Sequence, residues 1–479
     1  MVNNKEKYID ECNGIKVTGE FKRETAEKMR ARLKQKEHAG HRTLRWAVPA
    51  AAAAVLLCAF TVFSVLRPAA VSAKENLMEG ITARPVKAIA KEGENADFIK
   101  AQADFSINIF KNTVKEGKNS LVSPASISLA LGMTANGAEG ETLKQFEVIL
   151  GGGMDIGSLN RQLGWENAAF KSLKDGRLDI ANSIWYDNEK NLSVKKDFLQ
   201  KNADYFGAGA FQLDFSDSGT LQKINSWVKS STGGKIDKVI NNISPNDVMY
   251  IINAVYFEQD WMKSYSSSMK GIFHTRGKDV TADYLRSAEV YMHDGESEGI
   301  LKPLEGGKYS FAAFMPSEST EDIDAYIKNM TGAKYTGLVK PAEKILSQYG
   351  NGGKTQENYD EDFAASSLPK FKYDFSASLK DALGAMGLTD AFDTGKADFG
   401  GMGKSDKGNI FVSDVMHKTF IQVNELGVEA AAATAVIDAA GSSAPPKNTV
   451  TFDRPFVYAI VDNETCLPLF IGKVENPQA

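Results

Sequence analysis

Beyond residue 100 the chain holds three histidines, His274, His293 and His417. A hydrolase that pairs a nucleophile with a neighbouring imidazole therefore has few bases to draw on, and no G-x-S-x-G elbow accompanies them. The three cysteines, Cys12, Cys58 and Cys466, are single and far apart, with neither zinc-ligand spacing nor a pairing pattern. The glycines of Gly400-Gly401-Met402-Gly403 neither follow a strand pattern nor open a helix, and no P-loop sequence exists, so they read as a turn and not as a phosphate cradle. These residue types argue against an enzyme, a metal site and any cofactor.

Residues 424–437, Asn-Glu-Leu-Gly-Val-Glu-Ala-Ala-Ala-Ala-Thr-Ala-Val-Ile, carry a different kind of chemistry. Their alanine content alone favours a short surface helix, loosely capped by Asn424. With period two, however, Val428, Ala430, Ala432, Thr434 and Val436 fall on one face, all small and uncharged, so the same residues fit a strand buried in a sheet. The segment is compatible with both states. Gly427 offers a point about which the chain could swing between them, because glycine tolerates backbone angles that other residues resist.

The elements that must position this segment form a mixed pattern. Asp97–Val148 reads as helical, interrupted at Lys118-Asn119-Ser120, with Ile127, Leu131, Met133 and Ala138 near one side. Strand-like runs follow at Leu178–Tyr186, Val248–Phe257, Tyr309–Phe314, Asn409–Val423, Thr449–Val461 and Leu467–Val474. They do not alternate regularly with helices, which predicts an α+β body of large antiparallel or mixed sheets with helices packed on them.

The whole chain, 479 residues with 43% hydrophobic and 24% charged residues, has the composition of a globular protein. Its formal net charge is −5; residues 1–45 hold 12 Lys+Arg against 7 Asp+Glu, so the acidity lies in the remainder and argues against a nucleic-acid partner. Trp46–Leu66 carries no charge, and 21 helical residues reach about 31 Å, the thickness of a hydrocarbon core. Arg30, Arg32, Lys34, Lys36, Arg42 and Arg45 crowd the preceding side, against Arg67 and Lys74 after it. The positive-inside bias then predicts a single-pass anchor with a cytoplasmic polar tail (1–45), a transmembrane segment (46–66), an extracellular tether (67–95) and an extracellular body (96–479). Phe21, Met29 and Leu33 could share a helical face in the tail. Val71-Ser72-Ala73 keeps a second possibility open, secretion after cleavage near Ala73.

Glu425-Leu426-Gly427-Val428-Glu429-Ala430-Ala431-Ala432-Ala433-Thr434 resembles the hinge of the serpins, whose usual pattern is E-E-G-T-E-A-A-A-A-T. Val412-Ser413-Asp414-Val415-Met416-His417-Lys418, Asp453-Arg454-Pro455-Phe456 and Pro468–Pro477 are similar to the family's flanking strands. Further matches occur in family order: Asn119 with Ser123-Pro124-Ala125-Ser126-Ile127, Asn225–Val228 with Thr232–Ile236, Asn253–Phe257 with Trp261, and Leu368-Pro369-Lys370-Phe371. The resemblance spans roughly residues 97–477 and makes one domain of the body. A single anchor without disulfide pairs suits a bacterial-type member.

That resemblance implies three β-sheets, about eight or nine helices, an exposed reactive-centre loop, and a monomeric suicide inhibitor of a serine protease. The protease cuts the loop, forms an acyl-enzyme in a covalent complex, and is dragged along as residues 428–441 insert, a strand of about 46 Å. A charged residue on the inward face would stall insertion, and none is present. Leu426 and Val428 depart from the usual Glu and Thr, which bears on the rate of insertion. The cut is expected within Ala439, Ala440, Gly441, Ser442 and Ser443, at Ala440–Gly441 or Gly441–Ser442, and small residues there suit an elastase-like or subtilisin-like enzyme. By resemblance Ser123, Ser126, Asn253 and His417 form a polar cluster where the sheet parts, and Trp261 sits where the loop enters. The alternative is a non-inhibitory serpin serving as a cell-surface binding module.

Overall fold

The computed structural model describes residues 71–84, 96–173, 175–188, 192–244, 246–318, 322–350, 359–428 and 446–478. The chain divides into two units, 1–67 and 68–479. The expected cytoplasmic tail and the apolar run 46–66 lie outside the described residues, among which no helix is long and apolar enough to cross a membrane.

The body is α+β with three sheets. The main sheet has six strands in the order Phe371–Ser378, Asp414–Val423, Gly427–Val428, Met249–Asp260, Arg177–Asp187 and Gly209–Leu213. Met249–Asp260 is a run of β-branched and aromatic residues buried at ten of its twelve positions, as befits a central strand covered on both faces. Asp414–Val423 alternates strictly between buried and half-buried residues, so one of its faces meets the core. The second sheet has nine strands and the third joins Gly403–Lys404 to Ser193–Val194, so the glycine-rich run is a turn at residues 400–402 whose last glycine enters a short pairing.

Ten α-helices occur among the described residues, one of them the single turn Tyr359–Asp362, against the eight or nine expected. Pro124–Ala135 is buried at eleven of its twelve positions, so the one-sided face expected there is corrected: the helix lies inside the core and is covered on every side, its Ser126, Ser128 and Thr134 included. Ser123 caps its start, accepting the Ser126 amide on its hydroxyl.

Two strand boundaries also shift. Asn409–Val423 becomes regular only from Asp414, and Thr449–Val461 is two strands, Asn448–Thr451 and Phe456–Asp462, parted at Pro455, which has no amide to give the ladder. Asp279–His293 and Ser268–His274 gave no recognisable apolar run because their exposed positions include Asp279, Thr281 and Arg286 beside Lys270 and His274.

The stretch read as a tether is corrected in part. Residues 71–84 lie against the body: Asn76 bridges to Phe211, the Leu77 amide donates to Ala210, Lys223 pairs with Glu75 at 2.6 Å, and Arg84 forks onto Asp204. Residues 71–84 thereby cap the free edge of Gly209–Leu213, an edge that would otherwise expose unpaired backbone.

Candidate functional site

The two central strands of the main sheet are joined only at one end. Asp414–Thr419 pairs in parallel with Tyr250–Val255 over six residues, Asp414 opposite Tyr250 and Thr419 opposite Val255. Beyond that the strands part. The chain leaves the sheet at Val423, turns through Asn424–Leu426, and returns into the gap as Gly427–Val428, with Val428 opposite both Val423 and Gln259 and Gly427 opposite Asp260. Val428 is 2% exposed and belongs to the main core. Only glycine fits at 427, since a Cβ there would collide with the Gln259 carbonyl and stand 2.7 Å from the Cα of Asp260.

Local hydrogen bonds shape the turn. The Asn424 side-chain oxygen accepts the amides of Leu426 and Gly427, the folding-back that asparagine favours. Its three carbonyls are then taken in succession: the Trp261 indole N–H donates to Asn424 at 2.9 Å, the Tyr265 amide to Glu425 at 2.9 Å, and the Trp261 amide to Leu426 at 2.8 Å. Glu425 pairs with Lys370 at 3.0 Å. Burial pushes the Glu425 carboxyl up, but the hydrogen bond and charge of Lys370, with further hydrogen bonds from the Glu425 amide and Ser268, outweigh it and leave the group below its ordinary value.

A polar cluster closes the joined end of the seam. His417 and Asn253 face one another in register, both fully buried. The Ser123 amide donates to Nε2 of His417 at 3.1 Å, so the neutral ring carries its proton on Nδ1 and gives it to Oδ1 of Asn253. The Asn253 amide reaches the Ser126 carbonyl, the Ser126 hydroxyl and Asn182, while the Ser123 hydroxyl donates to the Leu469 carbonyl at 2.7 Å. Burial lowers the pKa of His417 to about 3. The cluster thus ties both central strands to the helix beneath and, through Leu469, to the second sheet.

Ser123, Ser126, Asn253 and His417 are therefore in direct contact. Trp261 lies at the other end, at the mouth of the gap, with Glu425, Gly427 and Val428. Glu429, Ala430, Ala431, Ala432, Ala433 and Thr434, and the expected cut at Ala439, Ala440, Gly441, Ser442 and Ser443, lie outside the described residues. Among the described residues no group of three His, Cys, Asp or Glu side chains is placed to hold a metal.

The family model described as serpin, serine protease inhibitor, matches residues 100–477. The chain belongs to the serpin family. This serpin is 41% identical to tengpin, a thermophilic serpin whose native-state crystal structure it matches with a TM-score of 0.75 over 84% of this chain and 99% of that one. Tengpin in the latent state matches at 39% identity with a TM-score of 0.66, over 80% and 98%. Leukocyte elastase inhibitor A of Rattus norvegicus is 30% identical over 79% of this serpin and 98% of its own length.

Three participants escaped the reading of the sequence. Tyr265 and Lys370 act on the hinge from positions 160 and 55 residues away, through a backbone amide and a single charge; Tyr265 leaves no local pattern, and Lys370 stood in the Leu368–Phe371 match with no role assigned to it. Asn182 did leave one: an asparagine inside Ile180–Trp185, where a buried strand needs a reason to keep an amide.

Proposed function

We propose that this serpin inhibits serine endopeptidases by suicide insertion of its reactive loop, with elastase-like or subtilisin-like enzymes as targets. The observation that carries the reading is the seated stub: Gly427–Val428 already occupy the gap between Asp414–Val423 and Met249–Asp260, so insertion has only to continue a strand that has begun. The residues that follow are small, and Ala430, Ala432, Thr434 and Val436 would share the inward face of Val428. To enter, they must unzip the six residue pairs from Asp414–Tyr250 to Thr419–Val255, with His417 and Asn253 in the middle.

The chemistry belongs to the protease. Its serine Oγ attacks the carbonyl carbon of Ala440 or Gly441, its histidine takes the hydroxyl proton and returns it to the departing amine, and a new N-terminus begins at Gly441 or Ser442. The upstream part stays ester-linked to the protease. Insertion then drags the protease along and distorts its active site before the ester can be hydrolysed.

In the same reading Trp46–Leu66 anchors a bacterial-type protein with its serpin domain outside, or the domain is released near Ala73. Incubating the full chain in mild detergent with pancreatic elastase and with trypsin tests the inhibition. A denaturant-stable conjugate with elastase, and a released peptide starting between Gly441 and Ala444, is the expected result. Cleavage by elastase without any conjugate would make this a non-inhibitory serpin.

A further inference from the structure

The two aromatic residues that hold the hinge turn rest on a buried charge pair in the second sheet. Lys302, on Ser297–Pro303, is 2% exposed, and Glu289, on Asp279–His293, is 6% exposed. The Lys302 ammonium stands 2.6 Å from Oε1 of Glu289, which also accepts the Ser287 hydroxyl. That same ammonium lies 4.3 Å from the centroid of the Tyr265 ring and 5.5 Å from that of Trp261. The two rings meet edge to face, 5.8 Å apart at 89°.

Two charges at this depth are costly to keep, and apolar side chains of similar volume would fill the space as well or better. Filling the core therefore does not account for them. A cation over two ring faces fixes the rings' orientation, which an edge-to-face pair surrounded by methyl groups would not. Orientation is what the site needs: the Trp261 indole must aim at the Asn424 carbonyl, and the backbone from Trp261 to Tyr265 must present two amides to the next two carbonyls.

We infer that Lys302 and Glu289 are positioning residues for the hinge. They lock Trp261 and Tyr265 so that the turn stays docked and Gly427–Val428 stay seated between the strands before any protease arrives. The pair belongs to the other sheet, so it ties the mouth of the gap to a part of the fold outside the strands that must separate. Its consequence for inhibition rests on the insertion reading, but the seating is a property of the free protein.

Amide hydrogen exchange on the free full-length chain tests it, using the double variant Lys302→Met/Glu289→Gln and the charge-retaining Lys302→Arg. The double variant should unfold at nearly the parent's temperature while the amides of Leu426, Gly427 and Val428 exchange about tenfold faster or more, a local opening without global loss. Lys302→Arg should keep those amides close to the parent's protection. Parent-like exchange at the hinge in the double variant would overturn the inference and leave the pair as core filling. Should the double variant not fold, Glu289→Asp serves: faster exchange confined to the hinge supports the role, and equal loosening of the hinge and the Met249–Asp260 strand overturns it. Elastase conjugation is followed separately, so a parent that traps no protease would sink the inhibitor reading and leave the exchange result standing.

Discussion

Nδ1 of His417 donates to Oδ1 of Asn253 directly across the seam of the main sheet, at a depth where neither side chain meets water. The other ring nitrogen accepts the Ser123 amide. A proton on Nε2 would set donor against donor, so protonation breaks the cluster as well as burying a charge.

The pH dependence follows from this. His417 titrates near 3 in the folded chain, below its ordinary value of about 6.5, so the unfolded chain takes up the proton first as pH falls. Its contribution is whole above pH 6.5 and is lost between about 6.5 and 3, with a slope of at most about 1.4 kcal/mol per pH unit. Urea midpoints at pH 7.5 and 5.0 should fall more for the parent than for His417→Asn. Equal falls would refute the assignment.

On the proposed mechanism, Val428→Arg should turn a protease trap into a plain substrate. An unpaired charge at a position 2% exposed costs several kcal/mol, so the stub should leave the gap and insertion stall. On denaturing gels the elastase conjugate should drop at least about tenfold in favour of cleaved chain, a change of about 1.4 kcal/mol in partition. An undiminished conjugate would mean that Val428 does not enter the sheet.

Ser123→Ala removes a helix cap and the donor to the Leu469 carbonyl in one change. A loss of about 1–3 kcal/mol in unfolding free energy is expected. Urea denaturation measures it, and a loss below about 0.5 kcal/mol would place the cluster's strength elsewhere.

Much of this site was legible because its parts are contiguous. The hinge announced itself through small uncharged residues at period two after Gly427, and the strand ending at Val423 through β-branched and aromatic residues. The depth of the seating was not legible, since it depends on Trp261 and Tyr265, 160 residues or more away, meeting the carbonyls of residues 424–426. The docking of residues 71–84 was hidden for a similar reason. Backbone bonds to Gly209–Leu213 need no particular side chains, and Leu77, Met78 and Ile81 form too short an apolar series to read as an element.

Those three side chains pack against the core and are each only partly buried. Leu77→Ala should lower stability by about 1–2 kcal/mol, less than a fully buried leucine would cost. Thermal unfolding checks it, and an unchanged midpoint would mean that residues 71–84 add no stability.

The central claim is that the cut loop enters between Met249–Asp260 and Asp414–Val423. The structure of the loop-cleaved protein tests it most directly. The account expects residues 428–441 to run as a strand between those two, with Asp414–Thr419 no longer paired to Tyr250–Val255. A cleaved protein that keeps those six pairs, with the cut loop outside the sheet, would contradict it.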